Sequence, residues 1–136
     1  MPRLFRESPL NSIWEGSGNV QCLDVLRAMV KSPASVESFF AEVADGAAAE
    51  PRLAAFATTL RDELPGDVAT IQARARRVVE RMAVALQASL LVRHGDEAVA
   101  DAFCASRLDG DWGRAFGTLP AGLDFERIIN RHRVNA

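Results

Sequence analysis

The sequence predicts an all-α fold, a helical bundle of about five to six helices. Apolar residues recur three and four positions apart along most of the chain, which places them on one face of a helix. No run alternates apolar and polar residues between hairpin turns, so no β-strand is predicted. The 136 residues are 49% hydrophobic and 25% charged, a composition typical of one folded domain rather than of a disordered chain.

The first two predicted helices meet at a Lys-Ser-Pro sequence. The first runs from about Asn19 to Val30, and Pro33 suits the first position of the second because its missing N–H costs nothing there. Ser32 is the predicted N-cap, and Gly46 suits the end of the second helix. The residues predicted to face the core are Val20, Leu23, Leu26 and Val30, followed by Val36, Phe39, Phe40 and Val43.

The next two helices are separated by Pro65-Gly66, which stops a helix from about Ala48 to Leu64. The longest predicted helix then runs from Val68 to about Arg93, with Asp67 as its cap, and forms the central rod of the bundle. The predicted inward residues are Leu53, Phe56 and Leu60 in the shorter helix and Val68, Ile71, Val78, Met82, Leu86 and Leu90 in the longer one, where Ala75 and Ala83 allow close packing.

Two shorter helices complete the prediction. Asp96 begins the fifth, with Val99 and Phe103 inward, and the glycines of segment 110–113 make a turn. Asp124 caps a short last helix that holds Ile128 and Ile129.

The segment before the first long helix is apolar yet lacks sustained periodicity. A terminal segment that buries nothing should not carry so many large apolar side chains. They therefore indicate an interface or a neighbouring domain, and we expect at least a dimer. The side chains concerned are Leu4, Phe5, Leu10, Ile13 and Trp14.

Charge is nearly balanced, with 16 Lys+Arg and 18 Asp+Glu, so general attraction to nucleic acid is weak. Residues 65–95 alone are basic. Arg74, Arg77 and Arg81 lie three and four positions apart and would share one helix face, which could contact successive phosphates of DNA. Arg27 is a further candidate. The alternative interpretation is a solvated face paired with acidic residues, Glu80 among them.

The cysteines and histidines do not have the spacing of a metal site. Cys22 and Cys104 belong to no C-x-x-C, so both are predicted to be small buried hydrophobes. No apolar stretch approaches the length of a membrane span, and the first ten residues lack a signal-peptide run. We therefore expect a cytoplasmic location and no membrane partner.

The most informative short segment is Glu15-Gly16-Ser17-Gly18-Asn19. A carboxylate beside apolar neighbours can be tuned as a general base, and the glycines let the backbone approach a flat ligand. The N–H groups of the helix that starts near Asn19 could hold an anionic group. The alternative is a plain glycine turn in which Ser17 or Asn19 caps the helix.

Residues 6–21, RESPLNSIWEGSGNVQ, resemble the acyl-CoA dehydrogenase segment around its Glu-Gly-Thr signature, most of all in the AidB (adaptive-response) branch. The sequence CLDVLR that follows is also similar to that branch. A second resemblance lies in FCASR at 103–107, Trp112-Gly113 and FGTLP at 116–120. The resemblance thus extends over most of the chain.

The resemblance implies that Glu15 removes the α-proton of an acyl-CoA thioester while a hydride leaves the β-carbon for FAD. It places Gly16, Ser17 and Asn19 along the FAD, with Ser17 in place of the usual threonine. Trp14 replaces a tyrosine and should crowd the acyl pocket, which does not favour ordinary fatty acyl-CoA as substrate.

The resemblance also implies a division of the chain. Residues 1–32 correspond to the end of the dehydrogenase C-terminal helical domain, and residues 33–136 to the helical extension of the AidB branch. Because most of the flavin site would lie in other domains, the isolated chain is expected to be inactive. AidB-type proteins are associated with DNA binding, so the alternative function is a non-catalytic module for self-association or DNA binding in an alkylation-response protein.

Overall fold

The computed structural model confirms the all-α prediction. It describes residues 2–12, 18–64, 68–109 and 117–133, and these contain helices and no β-strand. A 3-10 helix, Ser8–Ser12, follows the first α-helix. The α-helices in the described ranges are α1 (Pro2–Glu7), α2 (Gly18–Lys31), α3 (Pro33–Ala47), α4 (Pro51–Glu63), α5 (Val68–Ala73), α6 (Ala75–His94), α7 (Glu97–Arg107) and α8 (Phe125–Arg131).

The main core lies between α3, α4, α6 and α7. It comprises large side chains from α3 and α4, small ones from α6, and the thiol of α7. Its buried members are Phe40, Val43, Leu53, Phe56, Leu60, Val84, Ala85, Ala88 and Cys104. A smaller cluster of Cys22, Leu26 and Ala75 holds α2 against α6. The predicted burial of both cysteines is confirmed.

Most predicted helix starts are confirmed, each with an identifiable local cause. Pro33 begins α3 after Ser32, although the Ser32 side chain makes no capping hydrogen bond. Asp96 accepts a hydrogen bond from the backbone N–H of Ala98 at the start of α7. Asp124 accepts one in the same way at the start of α8. These carboxylates satisfy donors that a helix cannot satisfy internally.

The start of α4 differs from the prediction, because the helix begins at Pro51 rather than near Ala48. Glu50 is its N-cap and accepts a hydrogen bond of 3.0 Å from the backbone N–H of Arg52. Proline at the first position and a carboxylate cap fix this start. The alanines before it form the turn out of α3.

Gly46 does not mark the end of α3, contrary to the prediction. It is a buried residue inside the helix, which continues to Ala47. A Cβ atom at Gly46 would lie 2.6 Å from both the Cα and the Oγ of Ser89 on α6. The glycine is therefore needed for close helix packing and not for a left-handed helix end.

The predicted central rod is broken, and this is the main correction to the fold. Its two parts, α5 and α6, are separated at Arg74, whose φ and ψ are −106° and 6°. The backbone N–H of Arg74 donates a hydrogen bond to the carbonyl oxygen of Ile71, only three residues earlier. The N–H of Val78 then donates to the carbonyl oxygen of Arg74, four residues earlier, as in a regular α-helix. The helix tightens locally at this residue, yet Ile71 before the break and Ala75 after it pack in the same hydrophobic cluster.

Several predicted core positions are exposed. Val20 and Val30 are 48% and 72% exposed, Leu90 is also exposed, and so is Ala83. Apolar residues occur on more than one side of α2 and α6, and the neighbouring helices decide which side is covered. The covered side of α6 carries Val78, Val84, Ala85, Ala88 and Ser89.

Some predictions lie outside the described residues, including Asp67 as a cap and the turn at 110–113. Within the described ranges, no helix is both long and apolar enough to cross a membrane.

Candidate functional site

The candidate motif lies immediately before α2. Glu15, Gly16 and Ser17 lie outside the described residues, as does Trp14. Asn19, the last member of the motif, stands in the first turn of α2. The described geometry of the site therefore begins at Gly18 and Asn19.

A cleft opens beside Asn19, between the start of α2 and the junction of α5 with α6. Its volume is about 260 Å³. Cys22 and Ala75 are buried, so this part of the lining is apolar, whereas the rim carries amide and guanidinium groups. The residues that line the cleft are Asn19, Cys22, Leu23, Gln72, Ala73, Ala75 and Arg76.

Arg76 connects α6 to the start of α2. Its Nη1 atom donates a hydrogen bond of 2.9 Å to Oδ1 of Asn19. The guanidinium also lies against Gly18, where a Cβ atom would be 3.2 Å from Nη1 and 3.3 Å from Nη2. The absence of a side chain at Gly18 lets the flat guanidinium lie against the first turn of the helix.

The break at Arg74 forms one wall of this cleft. Gln72 and Ala73 end α5, and Ala75 and Arg76 begin α6, so the junction itself faces α2. Ala75 packs in the small cluster with Cys22 and Leu26. A tertiary contact at the break thus places Arg76 beside Asn19.

Arg76 belongs to the arginine series of residues 74–81, but the sequence did not indicate it as a site residue. The spacing places Arg74, Arg77 and Arg81 on one helix face and Arg76 on another side. Its partner Asn19 is 57 positions away in the sequence. No local pattern indicates a contact of that separation, because the chain between the two residues forms three other helices.

The predicted DNA-binding arginines do not form one unpaired strip. Arg77 makes an ion pair of 2.9 Å with Glu63 on α4, and its side chain is 66% exposed. Arg81 lies 3.5 Å from the other oxygen of the same carboxylate. Its guanidinium stacks over the ring of Phe56 at 4.2 Å from the centroid. One carboxylate on α4 therefore neutralises part of this face.

The other two candidates have different surroundings. Arg74 is the residue at the helix break, and its buried Nε atom has no hydrogen-bond partner among the described residues. Arg74 is the N-cap of α6, so it stands at the start of the helix that carries Arg77 and Arg81. Arg27 pairs with Asp24 three residues earlier on α2. DNA binding by these residues stays a prediction.

A second charged cluster, at the start of α4, is structural. Arg52 bonds to Glu50 at 2.7 Å and to Asp101 of α7 at 2.8 Å. The hydrogen bond from Arg52 lowers the pKa of Glu50, and the same bond raises the pKa of Arg52. Burial, followed by the charge of Glu50, raises the pKa of Cys104 to about 11. The Cys104 thiol is thus protonated at neutral pH and unsuited to act as a nucleophile.

The described ranges contain no group of three or more His, Cys, Asp or Glu side chains that could hold a metal ion.

Comparison with known proteins gives one match of high identity and short length. AidB of Escherichia coli (strain K12), whose name places it provisionally among the acyl-CoA dehydrogenases, is 71% identical over 31 residues. Those residues are 23% of this chain and 6% of AidB. No family model matches the chain, and no solved structure matches it. The match confirms the resemblance drawn from the motif: this chain is similar to an AidB-type member of the acyl-CoA dehydrogenase family.

Proposed function

We propose that this chain is the C-terminal helical part of an acyl-CoA dehydrogenase-like FAD flavoprotein of the AidB type. The observation that carries the proposal is the identity of 71% over 31 residues, together with the Glu-Gly-Ser motif in a context like that of the family. In the proposed division, residues 1–32 end the dehydrogenase helical domain and residues 33–136 form the extension.

The proposed chemistry is oxidation of a CH–CH bond in an acyl-CoA. Glu15 takes the α-proton onto its carboxylate, and the electron pair left behind forms the new double bond as a hydride leaves the β-carbon. FAD, when bound, accepts that hydride. Gly16, Ser17 and Asn19 are the residues that would hold the flavin.

The cleft beside Asn19 supports a contact between this chain and a portion of FAD. A volume of about 260 Å³ is below the range that encloses a drug-sized ligand, so the cleft beside Asn19 can take only one end of so large a cofactor. The amide of Asn19 and the guanidinium of Arg76 offer hydrogen-bond donors at the rim. The remaining contacts must come from residues outside the cleft.

A titration with FAD, followed by absorbance and fluorescence, tests this proposal. We expect saturable binding to the 136-residue chain that weakens when Asn19 is replaced by alanine. Arg131→Ala, an exposed change on α8, is the matched control. Absence of saturable binding would contradict a flavin site formed by this chain on its own.

We infer that the chain by itself does not desaturate acyl-CoA. Catalysis depends on holding thioester, base and flavin together, and misplacement by about 1 Å can cost roughly 100-fold in rate. An assay with an acyl-CoA and an artificial electron acceptor should show no turnover. Full activity would overturn this inference.

A second function, self-association, is favoured by the exposed side chains of α1 and the 3-10 helix. Leu4 and Phe5 are 64% and 80% exposed, and Leu10 is 51% exposed. Sedimentation should show a dimer or larger species that dissociates when Leu4 and Phe5 are both changed to serine. A wild-type chain that remains monomeric at high concentration would exclude this function.

A further inference from the structure

We propose that the cleft between α2 and the α5–α6 junction binds a phosphate-type anion of a small molecule, with Arg76 as its main binding residue. The proposal does not depend on catalysis by Glu15, but it concerns the same cleft and the same Asn19 as the proposed flavin site. It rests on the charge at the cleft, the hydrogen-bond donors at its rim and its size.

The charge of Arg76 is not compensated in the way that other arginines of the bundle are. Arg52, Arg77, Arg81, Arg93 and Arg127 each pair with at least one carboxylate. Arg76 has an amide partner, Asn19, and no carboxylate in ion-pair distance among the described residues. Within the part of the chain that the structure describes, the positive charge of Arg76 at the mouth of the cleft is therefore uncompensated.

Two contacts position the Arg76 side chain. The hydrogen bond to Asn19 and the contact against Gly18 hold the guanidinium at two places. Guanidinium has five N–H donors in a planar fork that matches two oxygens of a phosphate, and only one of its nitrogens is engaged by Asn19. A positioned fork loses less conformational entropy on binding than a mobile side chain.

The amide groups at the rim add donors. Because a guanidinium can only donate, the oxygen of Asn19 must face Arg76, which leaves the NH2 group of Asn19 to donate elsewhere. Gln72 brings a second amide to the same cleft. Two amides and a guanidinium suit an acceptor-rich anion, whereas a cation would find no carboxylate among the lining residues.

The size and the apolar wall define the ligand further. A cleft of about 260 Å³ accommodates a phosphate or diphosphate group with a small part of the molecule that carries it. The adjoining wall, made by Cys22, Leu23 and Ala75, suits an apolar portion of that molecule. The ligand class is therefore a small organic phosphate rather than a nucleic-acid backbone.

Inorganic pyrophosphate is the probe for the test, added to the isotope-labelled 136-residue chain and followed by amide NMR shifts. We expect saturable shifts at Asn19, Gln72 and Ala73. Loss of a charge-assisted hydrogen bond corresponds to roughly 10- to 100-fold in affinity, so Arg76→Ala should weaken binding by at least about tenfold. Arg76→Lys keeps the charge but not the fork and should recover only part of the affinity.

Arg77→Ala is the matched control, because it removes the same charge one residue away from the cleft on α6. We expect it to change pyrophosphate affinity by less than about twofold. Equal weakening by Arg76→Ala and Arg77→Ala, or shifts that do not saturate, would mean diffuse charge attraction and would overturn the proposal. The helical signal and melting temperature of each variant must match the wild type, and Arg76→Gln replaces any variant that does not fold.

Competition identifies the source of the anion. Displacement of pyrophosphate by FAD but not by riboflavin, which lacks phosphate, would assign the site to the diphosphate of the flavin nucleotide. If FAD does not displace pyrophosphate, the site takes another organic phosphate, and the anion site stands while the proposed flavin function fails. If pyrophosphate does not bind but FAD binding saturates, the anion site fails while the proposed flavin function stands.

Discussion

Gly46 shows how a single residue sets the distance between two helices. Its position inside α3 brings that helix against Ser89 of α6, whose hydroxyl donates a hydrogen bond of 2.8 Å to the backbone oxygen of Glu42. Ser89 is fully buried at this contact. At most helical positions glycine is unfavourable, so the close approach explains its presence here.

Gly46→Ala should destabilise the protein although alanine is the better helix former. The added Cβ would lie 2.6 Å from the Cα of Ser89, and overpacking of this kind costs about 1–3 kcal/mol, against a gain of roughly 1 kcal/mol in helix propensity. Because the close atom belongs to the backbone, we expect a net loss of up to about 2 kcal/mol in the free energy of unfolding, measured by urea denaturation. Ala44→Gly, an exposed change in α3, measures the difference in helix propensity between alanine and glycine without a change in packing. A Gly46→Ala variant more stable than the wild type would contradict the packing argument.

Glu50 should contribute to stability in a pH-dependent way. The hydrogen bond from Arg52 lowers the pKa of Glu50 below its ordinary value, so the folded state favours the carboxylate. The contribution is therefore complete above the unfolded pKa and is lost as pH falls through the lower, folded pKa. Glu50→Gln should cost about 1 kcal/mol at pH 7 and progressively less in acid, as followed by thermal unfolding across pH.

Glu126→Gln provides the comparison for that experiment, since it removes one carboxylate from an exposed position of α8. Its effect on stability should be small at every pH. A Glu50→Gln effect that stays constant between pH 7 and pH 3 would show that the charge of Glu50 is not responsible.

At the scale of elements, the pairing of α4 with α6 decides how much positive charge α6 presents. Glu63 accepts a hydrogen bond from Arg77 and lies near Arg81, while the ring of Phe56 covers the guanidinium of Arg81. The basic face predicted from spacing is therefore partly neutralised by another helix. Spacing along α6 could not reveal this, because Glu63 belongs to a different element.

If this face contacts DNA, removing the carboxylate on α4 and removing the arginines of residues 74–81 should change the DNA affinity in opposite directions. Glu63→Gln leaves Arg77 and Arg81 uncompensated and should raise affinity and steepen its salt dependence. The triple change Arg74→Ala, Arg77→Ala and Arg81→Ala should lower affinity and flatten the salt dependence. Fluorescence anisotropy with a short duplex at several salt concentrations measures both. No change in either variant would exclude this face as a DNA contact.

For the whole molecule, the two hydrophobic clusters imply unequal stability. The main core joins α3, α4, α6 and α7, whereas α2 is held by the small cluster of Cys22, Leu26 and Ala75. Elements with few buried contacts open at a lower free energy than the global unfolding reaction. The helix that follows the Glu-Gly-Ser motif is therefore the less firmly held part of the bundle.

Hydrogen exchange should make this difference visible. Backbone amides of α2 should exchange faster than those of α6 between Val84 and Ser89, and Leu26→Ala should accelerate exchange in α2 with little effect on α6. Phe40→Ala, by contrast, should accelerate exchange throughout the main core. Uniform protection of α2 and α6 in the wild type would mean that the bundle opens as one cooperative unit.

The sequence by itself determined the helical class and most helix positions, because apolar spacing, proline and capping carboxylates act over one or two turns. It also determined the AidB resemblance, which rests on residue identity rather than on shape. The break at Arg74, the packing role of Gly46, the pairing of Glu63 with Arg77 and the contact of Arg76 with Asn19 were decided only in the tertiary structure. Apart from the break, each depends on a neighbour from another part of the chain, and local periodicity contains no information about which neighbour will cover a given face.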